Sequence, residues 1–275
     1  MDVPDALNRP PVRAVGVVLG LAGLALLVGF TLVLGVLFGL RLAGVTLTPL
    51  VLLVVSLLLF QGVTMGGVAT AYLRYRGLSL AYVGLDRVLA DPFRDGAVVI
   101  VGYVLAFGAA LTGAVVVSTL GLQAGTNQAA EFAFEDPEVL LLLIPAAIVL
   151  IGPAEELLFR GIIQRRLREG FGPAAGVALA AALFAFVHVT AVTGGVTARL
   201  TTVAVLFLPS LVFGSIYEYT GNLAVPALVH GAYNATLFTG LYFIIKLGGV
   251  APGGAGDPTA ALLALVEFGP SAPVP

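Results

Sequence analysis

The chain contains no cysteine, only two histidines and few charges: aspartate, glutamate, lysine and arginine together make up 10% of its 275 residues. Each scarcity removes a class of chemistry. Without cysteine there are no disulfides, no thiolate nucleophile and no Cys-ligated metal. The charged fraction is far below the ~25% of soluble domains, and the apolar fraction of 59% exceeds their ~45–50%. The mean hydropathy of +1.08 points the same way. Together these values imply an integral membrane protein. A net charge of −2 with no large basic patch gives no reason to expect nucleic acid as a partner. The first 13 residues hold Arg9, Arg13 and two adjacent prolines. The apolar run that follows them is far longer than a signal-peptide core, so they are not read as a cleaved leader.

A spanning helix needs ~20 mostly apolar residues. Seven stretches qualify: 14–40, 45–72, 96–120, one from 139 toward 165, 173–192, 200–217 and 222–245. The expected fold class is therefore all-α, a polytopic transmembrane helix bundle. The tail 248–275 is rich in glycine and proline. Its apolar run 260–266 is too short to span and is read as a surface or short packed helix, with an eighth membrane helix as the alternative. With the N-terminus cytoplasmic, the inner segments carry Arg9, Arg13, Arg74, Arg76, Arg87, Arg94, Arg165, Arg166 and Arg168. The outer ones carry Arg41, Arg199 and Lys246. Nine against three satisfies the positive-inside rule. The loop 123–138 lacks Lys and Arg altogether, as an outer loop should. Glycines inside the spans, such as Gly16, Gly20, Gly23 and Gly29, are read as positions where helices approach closely.

Charge is rare enough that Ala154-Glu155-Glu156-Leu157-Leu158-Phe159-Arg160 stands out. Its three ionisable groups lie within an apolar run, where such groups are costly and usually functional. Glu156 and Arg160 are four apart, share a helix face and can pair. Glu155 is turned ~100° from that face and can point toward another helix. The bland reading of this cluster is a structural ion pair near the cytoplasmic helix end. Span five offers Phe184 and His188, four apart, and span seven offers His230 and Asn234 at the same spacing. Taken singly, these are a core histidine bonded to a backbone carbonyl and an interhelical amide. Taken together, they bring a carboxylate, two imidazoles and an amide to similar depth. Those groups suit hydrolysis, with the carboxylate taking a proton from water and His and Asn donating to an oxyanion. Glu155, His188 and His230 would equally make a His₂Glu zinc site, so Zn²⁺ is a possible cofactor. His188 lies fifteen residues into its span, which looks deeper than the others.

Other protease chemistries are poorly supported. There is no His-Glu-x-x-His, no Asp lies within an expected span, and neither Ser210 nor Ser215 has a Gly-x-Ser-Gly context.

Glu155-Glu156-x-x-x-Arg160, Phe184-x-x-x-His188 and His230-x-x-x-Asn234, with Tyr219-Thr220-Gly221-Asn222-Leu223 leading through Pro226 to His230, resemble the CPBP intramembrane proteases. That family includes the type II CAAX prenyl endopeptidases, the abortive-infection proteins and the lysostaphin-resistance-protein-A-like proteins. The resemblance covers about 138–245. It implies that Glu155 is the general base, with His188 helping to hold the water. It makes Glu156 and Arg160 a structural pair and His230 with Asn234 an oxyanion site, and it sets Phe184 beside the pocket. Eukaryotic members cleave after a prenylated cysteine in the cytoplasmic leaflet. That specificity does not transfer to every member.

The expected organisation is a three-helix membrane region, 1–137, with a cytoplasmic loop at 73–95, then a catalytic membrane region, 138–247, and the tail. The expected partners are membrane lipid and a membrane-associated protein or peptide substrate, at the cell membrane. Two other classes compete with a protease. One is a non-catalytic immunity or scaffold protein of the same fold. The other is a transporter, which the one-sided clustering of polar residues disfavours.

Overall fold

A computed structural model describes residues 10–88 and 90–248. Among these residues there is no strand. Seven helices are long and apolar enough to cross a membrane: α1 (Pro10–Leu42), α2 (Pro49–Tyr75), α3 (Pro92–Thr119), α5 (Val139–Phe171), α6 (Pro173–Thr190), α7 (Val196–Thr220) and α8 (Ala224–Leu247). A short helix, α4 (Gln128–Glu135), stands between α3 and α5. The expected seven-span bundle is thus present. The run 260–266 lies outside the described residues.

Helix boundaries follow local chemistry. Prolines open α2 and α3, where a missing N–H is harmless and φ is already helical. Thr48 caps α2 by accepting from the Val51 amide, Asp91 caps α3 through Arg94, and Asn127 caps α4 through Ala129. α3 starts earlier than expected and takes in Asp95. That residue sits in the first turn and accepts a hydrogen bond from Asn222 at 2.8 Å.

α5 lies at the centre. α8 packs along it and also along α3, α7 packs against α3 and α6, and α1 packs on α2 and on the Arg165–Phe171 end of α5. Glycine sets the closest approach. A Cβ on Gly152 of α5 would meet the Ala227 carbonyl oxygen at 2.8 Å, and one on Gly231 of α8 would meet the Ala147 carbonyl oxygen at 2.8 Å. These two positions let α5 and α8 touch backbone to backbone. The expectation for the first span needs correction. Gly29 does pack, against the Phe60 ring, but Gly16, Gly20 and Gly23 have no described atom within 4 Å of a built Cβ. They lie on faces that no other described helix covers.

Two helices depart from α geometry where they meet the polar cluster. α2 is a π-helix over Leu57–Gly66, and α5 is π-helical over Ala147–Ile151 and again over Leu157–Gln164. Pro153 has no N–H and its ring excludes the carbonyl four residues back, so the turn before it widens. In α2 the Thr64 hydroxyl donates to the Leu59 carbonyl, five residues back. Such wide turns are rare and recur at functional sites.

The segment after α2 forms two 3₁₀ turns, Leu80–Val83 and Leu85–Arg87, docked on the end of α7. Tyr217 donates to the Val83 carbonyl at 3.2 Å, and Asn222 donates to that of Arg87 at 3.4 Å. Gly84 and Gly221, both with positive φ, meet so closely that a Cβ on Gly84 would overlap the Gly221 carbonyl. Partial burial, then the adjacent Glu169 carboxylate, raises the Tyr82 phenol above its ordinary pKa, while Arg165 pulls it down.

Candidate active site

The polar residues of the three motifs are all shut away from solvent. Glu155, Glu156, His230 and Asn234 are 0% exposed, and Arg160 and His188 are 1% exposed. Burial of three charged side chains demands partners, and α2, α5, α6, α7 and α8 supply them.

Arg160 satisfies itself on three sides. Nη1 donates to Glu156 Oε1 at 2.8 Å, while Nη2 donates to the Ser210 hydroxyl at 2.7 Å and to the Ser210 carbonyl at 3.1 Å. The guanidinium also lies over the Phe184 ring, 4.5 Å from its centre, and 5.5 Å from that of Phe213. Ser210 is therefore a ligand of the arginine. Ser215 faces outward and bonds back to the Leu211 carbonyl.

Glu156 does more than pair with Arg160. The same Oε1 lies 2.9 Å from His230 Nδ1, so one carboxylate holds the guanidinium and the imidazole together. A carboxylate accepts, so Nδ1 carries the hydrogen. Nε2 of that ring then faces Glu155, 3.7 Å from Oε2. The His230 ring stacks on Phe213 at 4.7 Å. Helical spacing placed His230 and Asn234 on one face, but it could not show that His230 stands between the two glutamates.

His188 lies where α6 passes from α-helix into a 3₁₀ turn. Its Nδ1 is 2.7 Å from the Phe184 carbonyl, one turn back. The imidazole therefore reaches toward the level of Phe184, which resolves the depth mismatch. A carbonyl only accepts, so Nδ1 donates and Nε2 of the neutral ring is an acceptor. That nitrogen has no hydrogen-bond partner among the described residues, and neither has either end of the Asn234 amide. Phe184 links the parts, with ring centres 4.5 Å from His188, 5.7 Å from His230 and 5.0 Å from Phe159.

Sequence reasoning missed one member. Gln61 of α2 donates from Nε2 to Glu155 Oε1 at 2.7 Å. Its signal was available, since a carboxamide in an otherwise apolar span requires a buried partner. The Zn²⁺ ligand set does not fit this arrangement. Among the described residues no three His, Asp or Glu side chains group closely enough to hold a metal ion.

Residues 137–236 match the type II CAAX prenyl endopeptidase Rce1-like family. The match spans about a third of the chain. The match holds every site residue on α5, α6 and α8 and supports the resemblance to the CPBP membrane proteases, a protease family. It leaves α1, α2 and α3 outside. No curated protein and no solved structure matches the chain.

Proposed function

We propose that this multi-pass membrane protein is an intramembrane endopeptidase. On this reading it hydrolyses a peptide bond of a membrane-associated protein or peptide near the cytoplasmic face of the cell membrane. The observation that carries this reading is the meeting of the Glu155 carboxylate and the His230 imidazole, 3.7 Å apart, in an apolar interior. On the same reading bilayer lipid surrounds the bundle.

In the proposed chemistry, Glu155 takes a proton from water as the water oxygen bonds to the scissile carbonyl carbon. His188 Nε2 accepts the water's other O–H, a role that its Nδ1 contact with Phe184 supports. The Asn234 amide, otherwise without a partner among the described residues, donates to the oxyanion. His230 has Nδ1–H turned to Glu156 and donates from Nε2 when the ring carries both protons. Collapse breaks the C–N bond, and Glu155, now a carboxylic acid, returns its proton to the leaving amine.

The test is cleavage of fluorogenic peptides, with and without a prenylated cysteine, by purified protein in proteoliposomes. Glu155→Gln removes the base and should lower kcat by ~10²–10⁴-fold. His188→Ala should also abolish detectable turnover, with both variants purifying as well as the parent. Unchanged cleavage in both would refute the reading. Absence of turnover by the parent on every peptide would favour a non-catalytic scaffold of the same fold.

A further inference from the structure

Gln61 belongs to none of the motifs and lies outside the family segment, 94 residues before its partner Glu155. It is 1% exposed and sits within the π-helical stretch Leu57–Gly66. The extra residue per turn changes the direction of side chains on either side of it. Here the wide turn coincides with the one carboxamide of α2 that reaches across to α5. Gln61 Oε1 has no hydrogen-bond partner among the described residues, so the Nε2 contact with Glu155 is the one that anchors this side chain.

We infer that Gln61 is a positioning residue for Glu155. Its amide fixes Oε1 of the carboxylate and thereby sets the direction in which Oε2 is presented. This rests on the reading that Glu155 activates water. A neutral donor is the suitable choice there. A lysine or arginine would neutralise the base in a buried site, whereas an amide orients it and leaves its charge in place. The charged and titratable groups that share this interior include Glu156 and Arg160 on α5, His188 on α6 and His230 and Tyr233 on α8. Of these, Arg160 is occupied by Glu156 and Ser210. The active site is therefore composite, with α2 contributing to a centre whose recognisable motifs all lie on α5, α6 and α8.

Gln61→Met keeps length and volume and removes the donor, and Gln61→Asn keeps the amide but withdraws it by one methylene. Two readouts are taken on each protein in proteoliposomes. The first is the infrared carboxylate band of Glu155, isolated by subtracting the spectrum of the Glu155→Gln protein. It should move in both variants, because the hydrogen bond that perturbs it is gone. The second is peptide cleavage, in which kcat should fall by on the order of tenfold to a hundredfold with KM within about twofold. A loss of packing alone would lower the melting temperature and leave the band of the surviving protein in place. An unmoved band in both variants, or an unchanged kcat, would overturn the inference. If the parent shows no cleavage, the proposed activity fails by itself, and the infrared band still reports whether Gln61 holds Glu155.

Discussion

Glu156 serves two partners through one oxygen. Its Oε1 accepts from Arg160 and from His230 at 2.8 and 2.9 Å, and all three side chains are at most 1% exposed. Removing one partner of a buried ion pair leaves the other charge uncompensated, at a cost of about 3–5 kcal/mol. Glu156→Gln should therefore destabilise the protein by about that amount, read as a lower melting temperature in detergent. Arg160→Met should do the same by leaving the carboxylate with the imidazole alone. The double variant Glu156→Gln/Arg160→Met removes both charges, and its destabilisation should be less than the sum of the two single effects. Additive losses would show that the pair is not coupled. On the proposed reading the effect on activity should differ from that of Glu155→Gln, because Glu156 contacts the His230 ring and is assigned no step on the substrate.

The helices are brought together by glycine at a few points, and the sequence alone does not say which. Gly152 and Gly231 place α5 and α8 in backbone contact beside the paired glutamates. Gly20 on α1 looks the same in sequence yet has no described atom within 4 Å of a built Cβ. Gly231→Val should push the Ala147–Ile151 turn away, cost about 1–3 kcal/mol by overpacking and separate His230 from Glu156, so cleavage falls as well. Gly20→Val should alter neither melting temperature nor cleavage. Equal effects of the two substitutions would show that the α5–α8 approach has no special weight. The same contrast marks the limit of legibility. The i,i+4 pairs Glu156/Arg160, Phe184/His188 and His230/Asn234 could be read from spacing, because a helix fixes which residues share a face. The neighbour across the interface could not, because spacing carries no information about other helices. Gln61 reaching Glu155 and Glu156 holding His230 are both of that second kind.

At the scale of the whole molecule, hydropathy was enough to find the seven spans present among the described residues, and the Arg distribution predicts their orientation. The ordered contacts separate into the same two ends. Lys246 pairs with Glu138 at 2.6 Å and Thr193 donates to Glu131, joining segments assigned outside. At the other end Arg168 pairs with Glu218 at 2.9 Å, Arg165 donates to the Tyr217 hydroxyl at 3.0 Å, and Arg166 pairs with Glu169. These contacts fix which loops share a side, but not which side is the cytoplasm. That assignment rests on the positive-inside rule and decides which leaflet the site serves. The complete lack of cysteine makes it directly testable, since any introduced thiol is the only one present. Ser79 in the loop after α2 and Thr46 between α1 and α2 are both exposed. With Thr46→Cys, a membrane-impermeant maleimide should label intact cells. With Ser79→Cys, it should react only after the membrane is opened. The reverse pattern would invert the bundle and move the proposed chemistry to the outer face. Labelling of both from outside would mean that α2 does not cross, and Gln61 could not then meet Glu155 from an adjacent span.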